Sequence, residues 1–281
     1  MPQRPTRLLV LFGVLLLIVA GEWWYRRWHP VITRATAHYL IQSSATPEQT
    51  SEVAATVEVF YGAYVKLFSD FTHNRLHEKL RLNLYKDRQE FRRCNRGVGW
   101  AEAFYVKPVC HAYYSQQEVN SYHWMAHEAV HQLNREVAGL DLPLWLDEGA
   151  ATYFSTSVLR KGVLEPGRID RFTYPIWWLG KLALSGDLQR DIATTNFIPL
   201  HVIITGKGGP DKDEQFNLYY MHWWGLTHFL LHYENAKYRE GYFKVVRDGG
   251  TPQSVEKNLG PIERVQSEWY VYFRKCAAEY R

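Results

Sequence analysis

The sequence predicts an α+β fold: a small mixed sheet toward the N-terminus, a central helix bearing His-Glu-x-x-His, and a mainly helical C-terminal half. Three observations predict it. Leu80, Leu82 and Leu84 alternate with Arg81, Asn83 and Tyr85, the period-two pattern of a half-buried strand, and strand-like runs follow at residues 100–106 and 109–114. Residues 120–138 contain no Pro or Gly and place Trp124, Val130 and Leu133 along one apolar side. Beyond residue 155, apolar residues recur at helical spacing over 177–179, 216–232, 242–246 and 265–278.

Taken in order, Arg4 and Arg7 precede an apolar run over residues 8–20, and Trp23, Trp24, Tyr25, Arg26, Arg27 and Trp28 come directly after it. As a helix, residues 8–25 measure about 27 Å, just enough to span a bilayer with an aromatic belt at one edge. Residues 1–28 are therefore expected to form an N-terminal membrane anchor, with a removed export signal as the alternative. Glu22 fits an anchor only near the membrane surface. Either reading places the rest of the chain outside the cytoplasm, in the periplasm or the extracellular space. Residues 29–52 read as a linker, whose polar end at 42–52 leads into a helix. In that helix Val57, Phe60, Tyr61, Tyr64, Leu67 and Phe68 fall at helical intervals. A short helix is expected over 86–93, and a turn at Lys107-Pro108 between the last two strands. The stretch Gly206-Lys207-Gly208-Gly209-Pro210-Asp211 lacks the spacing of a phosphate cradle and reads as a turn. Residues 53–281 are expected to be one domain.

Composition agrees with a single sizeable core: 281 residues, 46% of them hydrophobic. The net charge is +4, with Lys and Arg interleaved among Asp and Glu, which argues against a nucleic-acid partner. Eleven Trp and nineteen Tyr supply core, and such side chains also line peptide clefts. Cys94, Cys110 and Cys276 lack metal-site spacing. A Cys94–Cys110 pair in an oxidising compartment and three reduced thiols stay open as alternatives.

The chemistry is concentrated in His127-Glu128-Ala129-Val130-His131. Residues four apart on a helix share a face, about 6 Å apart along the axis, so both imidazoles can reach one small cation. Glu128 lies at the edge of that face, too far round to be a ligand but near enough to take a proton from water. Asn120 or Ser121 is the expected helix cap. His123 shares the face and reads as a neighbour, since catalytic zinc sites commonly keep three protein ligands. The third ligand is sought in Leu142-Pro143-Leu144-Trp145-Leu146-Asp147-Glu148-Gly149, where Asp141 and Pro143 mark a helix start. Glu148 and Asp147 are rivals, because adjacent helical side chains diverge by about 100° and only one can face the metal. Gly149 inside a helix points to close helix packing. Thr152 and Asp147 are candidates for orienting a ligand His.

On these residues the chain resembles the gluzincin metallopeptidases. His127-Glu128-Ala129-Val130-His131 followed by Trp145-Leu146-Asp147-Glu148-Gly149 and Tyr153-Phe154 is most similar to the peptidase-MA-like domains of bacteria, and aminopeptidase N-like enzymes share Trp-Leu-x-Glu-Gly. The resemblance is specific over residues 120–154. It implies a zincin-like fold, Zn2+ as cofactor, His127, His131 and Glu148 as its ligands, and Glu128 as general base. The Gly-x-Met-Glu-Asn segment that holds a free amine in the aminopeptidases is missing, which leaves endo- and exo-cleavage both open. Gluzincins often draw an oxyanion-stabilising group from a later helix, and Tyr220-x-x-x-Trp224 with His228-Phe229-Leu230 is similar to such a segment. Tyr220 is the first choice there, then Tyr219 and His222. In such folds the strand nearest the cleft can pair with an extended substrate, and residues 110–114 are the candidate edge. The expected function is zinc-dependent hydrolysis of peptide bonds in a peptide or protein substrate. Two alternatives stand beside it: a silent, membrane-tethered binding protein, and a zinc hydrolase of a non-peptide substrate such as an ester or cell-wall amide.

Overall fold

The computed structural model describes residues 4–72 and 78–280, with side chains from residue 15 onward. Twelve helices occur among the described residues: α1 (Arg4–Arg26), α2 (Pro47–Leu67), α3 (Arg88–Cys94), α4 (His123–Gln132), α5 (Leu144–Ser155), α6 (Ile176–Leu179), α7 (Leu188–Ala193), α8 (Leu200–Thr205), α9 (Phe216–Ala236), α10 (Arg239–Arg247), α11 (Pro252–Leu259) and α12 (Ile262–Glu279). Strands β1 (Ile32–Ala35), β2 (Tyr39–Ser43), β3 (Leu80–Tyr85), β4 (Phe104–Val106) and β5 (Val109–Tyr113) form one sheet in the order β1-β2-β3-β5-β4. The three central strands run parallel, and each edge strand is antiparallel to its neighbour. Parallel neighbours need a crossover, which α2 supplies between β2 and β3. A reciprocal cap starts that helix: Thr46 Oγ1 accepts from Gln49 N, and the Gln49 side chain accepts from Thr46 N.

The leucine alternation of residues 80–85 emerges as expected, with Leu80, Leu82 and Leu84 buried alongside Tyr39, Ile41, Cys110 and Ala112. Two expectations need correction. Residues 29–52 contain β1 and β2 rather than a bare linker; strands of four and five residues are too short for alternation to stand out. Residues 110–114 are not a free edge, because β5 pairs with β3 on one side and β4 on the other. The outer strand on that side is β4. The C-terminal half is mainly helical, but also holds the hairpin β6 (Ser157–Arg160) and β7 (Val163–Ile169). Pro166 and Gly167 inside β7 disguise it as a turn.

The expected membrane anchor over residues 1–28, and the exported location drawn from it, are also corrected. Among the described residues, no helix is long and apolar enough to cross a membrane. In α1 the described apolar run from Leu15 stops at Glu22, which pairs with Arg26 at 2.9 Å one turn on. Two of the aromatic residues beyond it, Tyr25 and Trp28, engage the domain. Trp28 donates to Ser44 Oγ at 2.9 Å and packs 4.7 Å from Tyr85, and the Arg93 guanidinium lies 4.5 Å from the Tyr25 ring. Residues 1–3 of the expected segment lie outside the described residues. Cys94, Cys110 and Cys276 are free thiols.

Helix α4 rests on β4 and β5 and packs against α5, which packs in turn against α9. The contact of α5 with α9 needs Gly149. A Cβ built there would lie 2.3 Å from Thr227 Oγ1 and 3.1 Å from the Trp223 backbone oxygen. Gly149→Ala is expected to destabilise the chain by about 1–3 kcal/mol, the usual range for overpacking. Adding Thr227→Ala is expected to restore part of that loss. Chemical denaturation of the three proteins checks both, and a single variant as stable as wild type would show the helices free to part.

Candidate metal centre

Met125, Ala126, Ala129 and Val130 bury one side of α4, leaving His127, Glu128 and His131 on the half-buried side. Gln132 fixes the rotation of the helix: fully buried, its Nε2 donates to the backbone oxygens of Arg81 and Pro108, both at 3.0 Å. No side chain caps the helix start. Tyr122 occupies the cap position, and Asn120 Oδ1 accepts from Tyr122 N at 3.2 Å, so neither expected cap is used. After Gln132 the backbone widens into a π-turn over Leu133–Val137, a distortion common at functional sites. Tyr105 of β4 donates to Glu136 of that turn at 2.6 Å, tying the outer strand to the helix.

The structure brings His127, His131 and Glu148 together, each offering one ligand atom within 4.8 Å of the others. The two Nε2 atoms are 3.2 Å apart, and Glu148 Oε2 lies 3.2 Å from His127 Nε2 and 3.8 Å from His131 Nε2. Asp147 takes a different position. Its Oδ2 lies 3.0 Å from Nδ1 of His131, the ring nitrogen turned away from the cluster. Asn134 of the π-turn donates to Asp147 Oδ1 at 2.7 Å, and buried Tyr64 of α2 donates to Asn134 Oδ1 at 2.6 Å. A carboxylate behind a ligand imidazole sets its tautomer and raises its basicity. Thr152 does not take that part: its hydroxyl donates to the backbone oxygens of Glu148 and Gly149.

These residues fit a divalent cation. Glu148 Oε2 is buried and faces the two imidazoles without a well-formed hydrogen bond, an arrangement costly for a bare carboxylate. Burial alone would raise the Glu148 carboxyl, but His131 and His127 hold it below the ordinary range. Burial alone would lower the His131 imidazole, but Glu148, Asp147 and Glu128 push it up to about 10. Three carboxylates therefore face two imidazoles. The donor set of two imidazoles and one carboxylate suits zinc.

Glu128 is half-buried beside His127 on α4, its charge acts on His131 and Tyr220, and it is not one of the three residues that offer a converging ligand atom. Of the three candidates on α9, only Tyr220 approaches: its ring is 6.0 Å from that of His127. Burial, then the Glu148 charge, raise its hydroxyl, which keeps it a donor. Tyr219 turns away and donates to the Pro210 oxygen at 2.9 Å. His222 is fully buried, accepting from Ile198 N at 3.0 Å and donating to the Leu218 oxygen at 2.7 Å. His123 faces Glu118, with Nδ1 3.0 Å from Oε2. Sequence reasoning missed Tyr174, whose ring lies 5.2 Å from Tyr220 and whose buried hydroxyl has no hydrogen-bond partner. Burial, then the Glu148 charge, raise that hydroxyl as well. Set in an irregular stretch before Pro175, it carried no periodic signal.

No family model matches the chain, and no curated protein matches it either. The functional reading rests on the residues themselves.

Proposed function

We propose that the chain is a zinc-dependent peptidase of zincin type, cleaving amide bonds in a peptide or protein substrate. The observation that carries this reading is the convergence of His127, His131 and Glu148, with a buried Glu148 oxygen that makes no well-formed hydrogen bond. Zinc held by these three supplies Lewis acidity, polarising a carbonyl and making water acidic enough to attack near neutral pH. Asp147 holds the His131 ring in place for that task. Glu128 takes a proton from the attacking water as the new C–O bond forms. It delivers that proton to the amine nitrogen as the C–N bond breaks. Tyr220 donates a hydrogen bond to the oxyanion that develops on the former carbonyl. All four groups required by this chemistry are present, which weighs against a silent binding protein.

The test is cleavage of a mixed peptide library by the zinc-loaded full chain, read by mass spectrometry beside a chelated control. Tyr220→Phe is expected to keep its zinc and KM while kcat falls by about 10²–10³-fold, the range for losing one oxyanion donor. An unchanged kcat would remove Tyr220 from the mechanism. A zinc-loaded wild type that cleaves nothing in the library would remove the peptidase reading itself.

A further inference from the structure

A hollow of about 870 Å3, within the range of small-molecule sites, is walled in part by α4, the helix that carries His127 and His131. Trp124 of α4 lines it, three residues ahead of His127, and Trp177 of α6 lines it too. The two indoles meet edge-to-face at 6.1 Å, and Trp177 is 42% exposed, leaving ring surface open to a ligand. From there a run of rings leads to the metal ligands. Trp177 lies 5.9 Å from Tyr174, Tyr174 lies 5.2 Å from Tyr220, and Tyr220 lies 6.0 Å from His127.

The remaining lining selects among ligand chemistries. Arg88 and Arg92 both pair with Glu102, which also accepts from Tyr113, so neither guanidinium is free for an anion. Asp87 and Glu118 add further carboxylates, which disfavours phosphate, sulfate or an acidic chain. A purely apolar ligand would meet a lining that is largely polar, with Ser115, Gln116, Gln117 and Glu118 along one wall. A neutral saccharide meets both conditions. Its hydroxyls donate and accept, matching the amide and carboxylate side chains of this lining. The weakly positive hydrogens of its C–H face suit the negative face of an indole.

We infer that the substrate is a glycosylated peptide, whose neutral saccharide occupies the Trp124–Trp177 hollow while the adjoining amide lies at the metal cluster. The inference rests on the peptidase reading for the bond cleaved, but not for the hollow.

The experiment uses the zinc-loaded full chain carrying Glu128→Gln, which binds without turnover. Neutral oligosaccharides (N-acetylglucosamine dimer and trimer, lactose, maltotriose) are titrated by tryptophan fluorescence and calorimetry. At least one is expected to bind with a Kd of about 1 mM or tighter. Adding Trp177→Ala, or separately the surface pair Gln116→Ala and Gln117→Ala, is expected to weaken it about tenfold or more. Bound zinc and melting temperature should stay unchanged. Binding by none of the probes, or binding that ignores both sets of substitutions, would overturn the inference. A second arm uses wild type and one peptide with and without an O-linked N-acetylhexosamine. The glycosylated form is expected to show the higher kcat/KM, an advantage lost in Trp177→Ala. Saccharide binding without cleavage of either peptide would leave the hollow standing and remove the peptidase reading. Equal cleavage of both peptides without saccharide binding would do the reverse.

Discussion

Glu128→Gln is expected to keep its zinc and to lose turnover by about 10³-fold, within the usual range for a positioned general base. The amide is nearly isosteric with the carboxylate, so helix and ligand geometry should survive. What it cannot do is accept a proton from water and carry it to the leaving amine. Glu128 borders His131 and Tyr220 without belonging to the ligand set, so its removal separates chemistry from metal retention. Single-turnover assays with metal analysis of the same samples decide it. A variant that turns over at the wild-type rate would strip Glu128 of its role.

Removing a ligand acts earlier. His127→Ala and Glu148→Ala are each expected to weaken zinc retention by more than about 100-fold, beyond the effect of losing an outer partner. Asp147→Asn, which spares the three ligand atoms and alters only the group behind His131, is expected to cost about 10–100-fold. Competition against a zinc chelator orders the variants. Binding of zinc to the folded chain also raises its stability by mass action, so chelation should lower the melting temperature of wild type and leave His127→Ala nearly unmoved. If Glu148→Ala holds the ion undiminished while Asp147→Asn releases it, the two acidic residues exchange roles.

The convergence of His127, His131 and Glu148 was legible where local periodicity sets geometry. Two His four apart on an uninterrupted helix must share a face, and Gly149 announced close packing that Thr227 and the Trp223 backbone then explain. Glu148 and Asp147 could be named as rivals, but which faces the cluster depends on how α5 docks against α4, a tertiary matter. The relay from Tyr64 through Asn134 was invisible for the same reason, since its members come from α2 and a π-turn distant in sequence. Tyr174 reaches the site from an irregular stretch without a pattern to flag it. In the sheet, β3 stood out through its leucines, whereas β1 and β2 were too short to do so. The aromatic residues at the end of α1 and just beyond it suggested a bilayer interface, yet Tyr25 and Trp28 find partners within the domain, on Arg93 and Tyr85.

The hydroxyl that steadies Asp147 comes from a residue 70 positions before Asn134. In the proposed zinc-bound chain, retention of the ion would therefore be governed partly by the crossover between two strands, well away from the three residues that would hold it. Loosening that crossover, as in Tyr64→Phe, would quicken ion escape while the molecule stays folded, so leakiness rather than collapse would be the first sign of damage there.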